Sequence, residues 1–391
     1  MNYILFDGPV RNALLPLTFT RPVADIRVGI LTIREKWEKY LGYTTTTVTE
    51  EYLMDKYPMV EMEQNVLINS AYLPNEVLAE MVMALEENQA IFNGDEVIAF
   101  YTNDTQEEVD FDAYDIIEYE EEVLKIEYVW DIFQKNDAAI REDFELLTEG
   151  RTSQPIPASV NTIAPHNIFI EEGARLEYVT LNASTGPIYI GKNTEIMEAS
   201  VIRGPFALCE GAVVKLATKV YGATTVGPEC RIGGEVSNSV LFGYSNKGHD
   251  GFLGNSVLGE WCNLGADTNN SNLKNNYEEV KLWNYEKGSF VKTGLQFCGL
   301  IMGDHSKSGI NTMFNTGTVV GVCANIFGSG FPRNFVPSFS WGGAAGMATY
   351  DVKKAFETAR IVMSRRNVEF TEQDEAILAE VYQQTEKLRN I

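Results

Sequence analysis

An aliphatic residue recurs at every sixth position in the second half of this 391-residue chain. The uninterrupted series comprises Ile190, Ile196, Ile202, Leu208, Val214, Val220, Val226 and Ile232. A period of six fits neither an amphipathic helix nor one long strand. It fits short parallel strands wound into a triangular solenoid, with each aliphatic side chain inside and small residues such as Gly191 at the corners. We therefore predict a parallel β-solenoid over residues 160–335.

The repeat is interrupted twice. It slips across residues 238–251, resumes at Phe252, Leu258 and Leu264, and returns after 268–290 in Met302, Phe314, Val320 and Ile326. We interpret 238–251 and 268–290 as loops that project from the solenoid, on the side where such proteins bind their ligands. The pattern resembles the left-handed β-helix of the hexapeptide-repeat transferases.

The rest of the chain forms two further units. Residues 1–150 lack the repeat and alternate apolar runs, at 3–6 and 66–68, with helical stretches at 30–41 and 74–88, which predicts an α/β domain. The solenoid unit spans 151–340. Residues 341–391 show two amphipathic helices, the second beginning with a capping box at Thr371 and Asp374, and we expect them to close or cover the solenoid.

Charge and cysteine content exclude several classes of function. The chain has 55 acidic and 31 basic residues, a net charge of −24, which opposes binding to nucleic acid or to an anionic membrane. Without a long apolar run or a signal peptide, we expect a cytoplasmic protein with no membrane segment. The five cysteines contain no CxxC pair and predict buried thiols rather than disulfides or zinc ligands. The acidic run at 104–127 predicts a solvated surface rather than a metal site.

The segment Leu14-Leu-Pro-Leu-Thr-Phe-Thr-Arg-Pro22, with Val66-Leu-Ile-Asn-Ser-Ala71, resembles the sugar-1-phosphate nucleotidyltransferases. The resemblance implies a Rossmann-like domain that uses a nucleoside triphosphate and magnesium. It also implies that Arg11, Arg21 and Arg27 bind the nucleotide or sugar phosphate and that Asp7 replaces a lost magnesium ligand.

This resemblance has clear departures. The family's glycine-rich loop is replaced by Asp7-Gly-Pro-Val-Arg-Asn12, in which Pro9 has no N–H to offer a phosphate. Val23 stands in place of a lysine and Ala71 in place of a metal-binding aspartate. Residues 1–150 are therefore a degenerate nucleotidyltransferase-like domain, and the alternative is that its arginines are structural and the domain is a relic.

The segments Ser245–Asn255 and Cys262–Asn272 carry the densest polar motif of the solenoid. They resemble the acetyltransferase half of the bifunctional N-acetylglucosamine-1-phosphate uridylyltransferase/glucosamine-1-phosphate acetyltransferase family. The resemblance implies acetyl-CoA as the donor, His249 as the base and Asn272 as the oxyanion donor, roles that suit imidazole and amide groups. It further implies substrate contacts from Lys247, Asn263, Phe252 and His305.

Three functions stay open at this point. The first is acyl transfer to an amino-sugar phosphate, the second is nucleotidyl transfer to a sugar 1-phosphate, and the third is a non-catalytic scaffold that binds phosphosugars or nucleotides. We also expect a homotrimer, with acyl-CoA between neighbouring solenoids and the loops around 245–255 and 268–290 walling the pocket. The alternative is a monomer or dimer in which the C-terminal helices cover the solenoid.

Overall fold

A computed structural model describes residues 1–103 and 109–390 of the chain. Residues 104–108, part of the acidic run, lie outside the described residues. The predicted succession of an α/β domain, a parallel β-helix and C-terminal helices is confirmed.

The first unit is an α/β domain with a mixed six-stranded sheet. Its strands are β1 Asn2–Phe6, β2 Thr46–Val48, β3 Asn65–Asn69, β4 Gln89–Asn93, β5 Glu96–Thr102 and β6 Asp115–Glu118. Its helices are α1 Ile33–Leu41, α2 Glu51–Met54, α3 Glu76–Met83, α4 Asp131–Gln134 and α5 Asn136–Thr148. The strand order is β2-β1-β3-β5-β4-β6, with β1 parallel to both neighbours and β5 antiparallel to both of its own. Helix α1 begins with a capping box of Thr32 and Glu35 and ends at Gly42, whose φ of 71° favours glycine.

The second unit is a three-sided β-helix built from very short strands. They are β7 Asn161–Ile163, β8 Ile168–Ile170, β9 Arg175–Leu176, β10 Thr180–Asn182, β11 Ile188–Ile190, β12 Glu195–Ile196, β13 Val201–Arg203, β14 Phe206–Leu208, β15 Val213–Val214, β16 Lys219–Tyr221, β17 Thr224–Val226, β18 Arg231–Ile232, β19 Glu235–Ser237, β20 Val240–Gly243, β21 Asn246–Lys247, β22 Phe252–Gly254, β23 Val257–Glu260, β24 Asn263–Leu264, β25 Asn269–Asn270, β26 Lys281–Asn284, β27 Ser289–Lys292, β28 Leu300–Met302, β29 Lys307–Ser308, β30 Met313–Phe314, β31 Thr318–Val320, β32 Asn325–Ile326, β33 Phe335–Val336, β34 Ser340–Gly343 and β35 Gly346–Thr349.

Three sheets form the sides of the β-helix. Face 1 contains β7, β10, β13, β16, β19 and β22, and face 2 runs from β8 to β33 in nine strands. Face 3 runs from β9 to β35 in ten strands. The chain passes from face 1 to face 2 to face 3 in every turn, and neighbouring turns pair in parallel. The eight aliphatic residues of the uninterrupted series are all buried, so the predicted solenoid interior is confirmed.

The interpretation of 238–251 as a projecting loop is wrong, because β20 and β21 continue the β-helix through it. The repeat slips because the corner between β18 and β19 contains only Gly233 and Gly234. The repeat also resumes one residue later than predicted, since Leu253 is buried in register with Val236 while Phe252 is only half-buried. The second interruption does leave the β-helix, but with other bounds than 268–290: β25 still pairs in parallel with β30, and the antiparallel hairpin of β26 and β27 extends to Lys292.

The α/β domain packs along face 2. Outward residues of face 2, such as Val240, Val257 and Ile301, belong to the same hydrophobic cluster as the core of the α/β domain. Thr225 Oγ1 donates to Gly29 O at 2.8 Å across this contact. Face 2 is therefore covered by the α/β domain and is not an outer surface of the protein.

The third unit contains α6 Val352–Ser364 and α7 Glu372–Gln384. The capping box of Thr371 and Asp374 is confirmed. Both helices pack against Trp261, Val322 and Phe339 of the β-helix and against Phe19 of the α/β domain. All five cysteines are buried and unpaired, as predicted. No helix in the described part of the chain is long and apolar enough to span a membrane.

Candidate functional site

His249 lies at the corner where face 3 passes into face 1, between β21 and β22. Its side chain is exposed. Gly251, in the same corner, has a φ of 114°, and a Cβ there would lie 2.2 Å from Thr268 O in the next turn. The corner that presents His249 is therefore packed directly on the turn that follows it.

Phe252 and Asn272 meet on face 1 close to this corner. The ring of Phe252 and the amide of Asn272 both lie against Gly254, where a Cβ would be 2.4 Å from Phe252 Cζ and 2.8 Å from Asn272 Nδ2. Asn272 Nδ2 donates to Asn255 Oδ1 at 2.8 Å. An asparagine amide has two donor hydrogens, so Asn255 orients the group and leaves one hydrogen for a ligand. The structure thus brings together two of the predicted site residues next to the His249 corner.

Asn263 and Lys247 lie on face 3, away from Phe252 and Asn272. Asn263 is exposed on the outer side of face 3, in register with Asn246 and Lys307. Lys247 points inwards, in register with Ile232, and is 1% exposed. Its ammonium donates to backbone carbonyls inside the β-helix, so it is not placed to contact a sugar phosphate outside.

His305 lies apart from the His249 corner, at the junction of the three units. It is stacked near Trp261, and its Nδ1 is buried with no hydrogen-bond partner among the described residues. Burial, together with the nearby cations of Lys307 and Lys56, lowers the pKa of His305 to about 3. A cavity of only about 40 Å³ adjoins it, enough for a water molecule but not for a sugar phosphate.

A far larger cleft opens where the hairpin meets the end of the β-helix. Its volume is about 1130 Å³. Its lining includes the cations Lys274, Lys281, Arg333 and Arg389 and contains no carboxylate among the described residues. Because the chain carries a net charge of −24, this basic lining marks the cleft as a place for an anion.

Aromatic rings form one wall of this cleft. Trp283 of the hairpin stacks on Phe335 at 4.2 Å between ring centroids, and Phe290 meets Trp283 edge to face. Trp283 Nε1 is buried without a partner in the described part of the chain. The cleft lies next to the cluster of Phe252 and Asn272. Lys274 in the lining is only two residues from Asn272 in the sequence. In addition, Ser271 Oγ lies 2.6 Å from Oγ1 of Thr316, another lining residue.

The arginines predicted to bind phosphate in the α/β domain do not converge. Arg11 is buried and donates to Asp7, Thr18 O and Tyr52. Arg21 pairs with Asp304 of the β-helix and lies 3.3 Å from Glu260. Arg27 Nε donates to Phe242 O of the β-helix at 3.1 Å. Arg21 and Arg27 therefore join the two units instead of facing a shared phosphate site.

Asp7 does not fit the role of a magnesium ligand in this arrangement. Its Oδ2 accepts hydrogen bonds from Arg11 Nη1 at 2.9 Å and Thr49 Oγ1 at 2.5 Å, and its Oδ1 accepts one from Val23 N at 2.6 Å. Burial raises its pKa, although these partners act against that effect. No cluster of three or more His, Cys, Asp or Glu residues suited to a metal occurs within residues 1–103 and 109–390.

Sequence reasoning missed the cleft residues Lys281, Trp283, Arg333 and Arg389. A usable signal was present, because lysines and aromatic residues alternate through 274–292 in an otherwise acidic chain. No pattern in the sequence indicates the ion pair of Arg21 and Asp304, which lie 283 residues apart.

Comparison with known proteins gives partial similarities. A family model described as "Sugar nucleotidyl transferase" matches residues 3–152. "Bifunctional protein GlmU" from Cyanothece sp. (strain PCC 7425 / ATCC 29141) is 28% identical over 172 residues, covering 39% of this chain and 37% of that protein. "Bifunctional sugar-1-phosphate nucleotidylyltransferase/acetyltransferase" from Sulfurisphaera tokodaii is 34% identical over 93 residues, 24% of this chain and 23% of that protein. The chain thus matches well under half the length of each of these two relatives.

The solved structure of LpxA, a UDP-N-acetylglucosamine acyltransferase from Bacteroides fragilis, aligns with 57% of this chain and 96% of its own. Its sequence identity is 12% and its TM-score 0.24. The relative from Sulfurisphaera tokodaii and the family model are named as transferases, and the resemblance of the chain to bifunctional sugar-1-phosphate nucleotidyltransferase/acetyltransferases is confirmed at this modest level of identity.

Proposed function

We propose that the β-helix transfers an acyl group from an acyl-CoA, such as acetyl-CoA, to the amine of an amino-sugar 1-phosphate. The observation that carries this proposal is the large basic cleft that adjoins Asn272. The names of the relatives favour the same class of reaction.

The cleft is larger than a sugar phosphate alone would need, and its size suits the acyl-CoA donor. An acyl-CoA has an adenine ring and three phosphate groups. Lys274, Lys281 and Arg389 can bind phosphate oxygens by charge-assisted hydrogen bonds. The Trp283 and Phe335 wall can stack with a planar base. The acyl end would then extend towards Asn272 and His249.

The reaction needs a base and an oxyanion donor. His249 accepts a proton from the sugar ammonium, which frees the nitrogen lone pair to attack the thioester carbon. The new C–N bond forms, Asn272 donates a hydrogen bond to the oxyanion, and the C–S bond then breaks. The CoA sulfur leaves as a thiolate and takes up a proton from the imidazolium, while the nitrogen releases its second proton to solvent and becomes the neutral amide. Phe252, beside Asn272, contributes an apolar surface for the sugar.

A paired assay tests this proposal. The purified full chain is incubated with acetyl-CoA and a panel of sugar 1-phosphates with and without a free amine, and the release of CoA is measured. The same reactions, supplied with nucleoside triphosphates and magnesium, are monitored for pyrophosphate. Release of CoA with the amino sugars alone supports acyl transfer. Saturable binding of sugar phosphates or nucleotides without either product identifies a scaffold and rejects acyl transfer.

Nucleotidyl transfer is a second candidate because the family match covers the whole α/β domain. That domain has a cavity of about 390 Å³ at the ends of β1 and β2. Its lining includes Asp7, Glu50 and Glu51 against one cation, Arg11, so a triphosphate would meet unfavourable charge. Pyrophosphate release in the paired assay that is lost in Asp7→Ala would establish this activity.

The assembly that we propose is a trimer. With face 2 covered, faces 1 and 3 and the corner that carries His249 remain for contacts between subunits. Cyclic threefold symmetry closes such a heterologous contact. Light scattering of the purified protein tests it: we expect a mass three times the chain mass of 43.7 kDa, whereas the chain mass itself would reject it.

A further inference from the structure

Lys247 occupies a position that is aliphatic in most turns of face 3, with Ser308 as another polar exception. In the stack of inward residues on face 3 it lies between Ile232 and Leu264. Its side chain is fully enclosed, yet Nζ lies within hydrogen-bond distance of three carbonyl oxygens: His249 O at 2.5 Å, Gly233 O at 3.2 Å and Asp250 O at 3.2 Å. An ammonium has three donor hydrogens, so this buried charge is matched by its acceptors.

Other corners between face 3 and face 1 are held differently. Four of them have a buried serine or threonine at the last position, namely Ser200, Thr218, Thr268 and Thr312, and the first corner has the buried Val179 there. Thr218 Oγ1 donates to Lys215 O at 2.6 Å, and Thr312 Oγ1 donates to Gly309 O at 2.8 Å. The corner at 248–251 has Gly251 at this position and lacks the hydroxyl.

The preceding corner explains why an ammonium fits here. Gly233 and Gly234 replace a four-residue corner, so the chain is two residues shorter at this level. The two corners then meet backbone to backbone, since a Cβ on Gly233 would be 2.7 Å from Gly248 O and one on Gly234 would be 2.8 Å from Asp250 Cα. Lys247 reaches the carbonyls of both corners from inside.

We infer that Lys247 is a positioning residue, whose ammonium inside the β-helix fixes the corner that presents His249. Burial lowers the pKa of Lys247 to about 8, while Asp250 and Asp267 act in the opposite direction, so the amine is mainly protonated at neutral pH. The catalytic consequence rests on the proposed acyl transfer, but the mechanical role does not.

The test compares Lys247→Met with Thr218→Val by hydrogen exchange and by kinetics. Two amides report on the corner: Asp267 N donates to Asp250 O at 3.0 Å and Glu235 N donates to Gly251 O at 3.2 Å. We expect Lys247→Met to speed the exchange of both amides about tenfold and to lower kcat for acyl transfer about tenfold with little change in KM. Thr218→Val removes a buried hydrogen bond from another corner between face 3 and face 1 but should alter neither reporter nor kcat.

The outcomes separate positioning from general stability. Faster exchange limited to the two reporters supports the inference, whether or not the wild-type protein shows acyl transfer. A wild-type protein without acyl transfer would reject the proposed function alone. Unchanged reporters, or faster exchange spread equally to Ala217 and Asn311 in other corners, would overturn the inference. If Lys247→Met does not fold, Lys247→Gln, which keeps a donor, is measured against the same control.

Discussion

The cavity of the α/β domain and the cleft of the β-helix use their charged residues in opposite ways. In the α/β domain Arg11 is bound to Asp7, and Arg21 and Arg27 reach the β-helix. In the cleft, four cations line an open space with no carboxylate among the lining residues that are described. Charges that are paired inside the protein stabilise its packing. Arg21 and Arg27 therefore hold the two units together, whereas the anion site that we propose at the cleft uses residues that were not predicted, such as Lys281.

The strongest test of this comparison is removal of the base. We expect His249→Ala to lower acetyl transfer by about 10²–10⁴-fold, the usual contribution of a general base, without changing any pyrophosphate release. His166→Ala is a matched control, because His166 is also exposed but lies in the first turn of the β-helix. Equal rates of acetyl transfer for His249→Ala and the wild type would show that His249 is not the base.

The docking role of the arginines predicts a large effect on stability. Arg21→Met leaves the buried carboxylate of Asp304 without its cation, so we expect a loss of about 3–5 kcal/mol in the free energy of unfolding. Chemical denaturation measures it. Arg175→Met, which removes a surface ion pair of 3.9 Å between Glu195 and the exposed Arg175, should have almost no effect. If Arg21→Met is as stable as the wild type and loses only nucleotide binding, Arg21 binds phosphate as the sequence predicted.

The junction of the units also predicts a pH dependence. The pKa of His305 is lowered by burial, so the unfolded chain binds a proton more tightly than the folded protein between pH 3 and 6.5. Stability should therefore fall as the pH decreases from about 6.5 towards 3, with a contribution from His305 of roughly 2–4 kcal/mol. Unfolding curves of His305→Gln should lack this component. If the stability of His305→Gln and that of the wild type depend on pH in the same way, His305 is accessible to water, as a residue that binds substrate would be.

The smallest expected effect concerns single cations of the cleft. Lys281→Ala should raise KM for acetyl-CoA about tenfold, with a weaker dependence on salt, because one phosphate contact is lost. Lys287→Ala, an exposed cation in the turn of the same hairpin, is the control. If both variants behave alike, the cleft acts through general charge and not as a defined site.

Local patterns in the sequence were sufficient for much of the fold. The six-residue period predicted the interior of the β-helix, and Thr371 with Asp374 predicted the start of α7, because both depend on neighbouring residues. The prediction failed at residues 238–251, where a corner two residues short changes the phase of the repeat. A shift in phase looks the same in sequence as an inserted loop.

The sequence by itself determined the solenoid, the presence of an insertion near residues 268–290, the terminal helices and the motif around His249 and Asn272. Only the tertiary structure decided which polar groups face solvent. It placed Lys247 inside the β-helix, Arg21 against Asp304 and the α/β domain along face 2. The physical reason is that periodicity records burial within one element, whereas a long side chain can pair with any charge that folding brings within reach. Contacts between residues hundreds of positions apart depend on the packing of whole units.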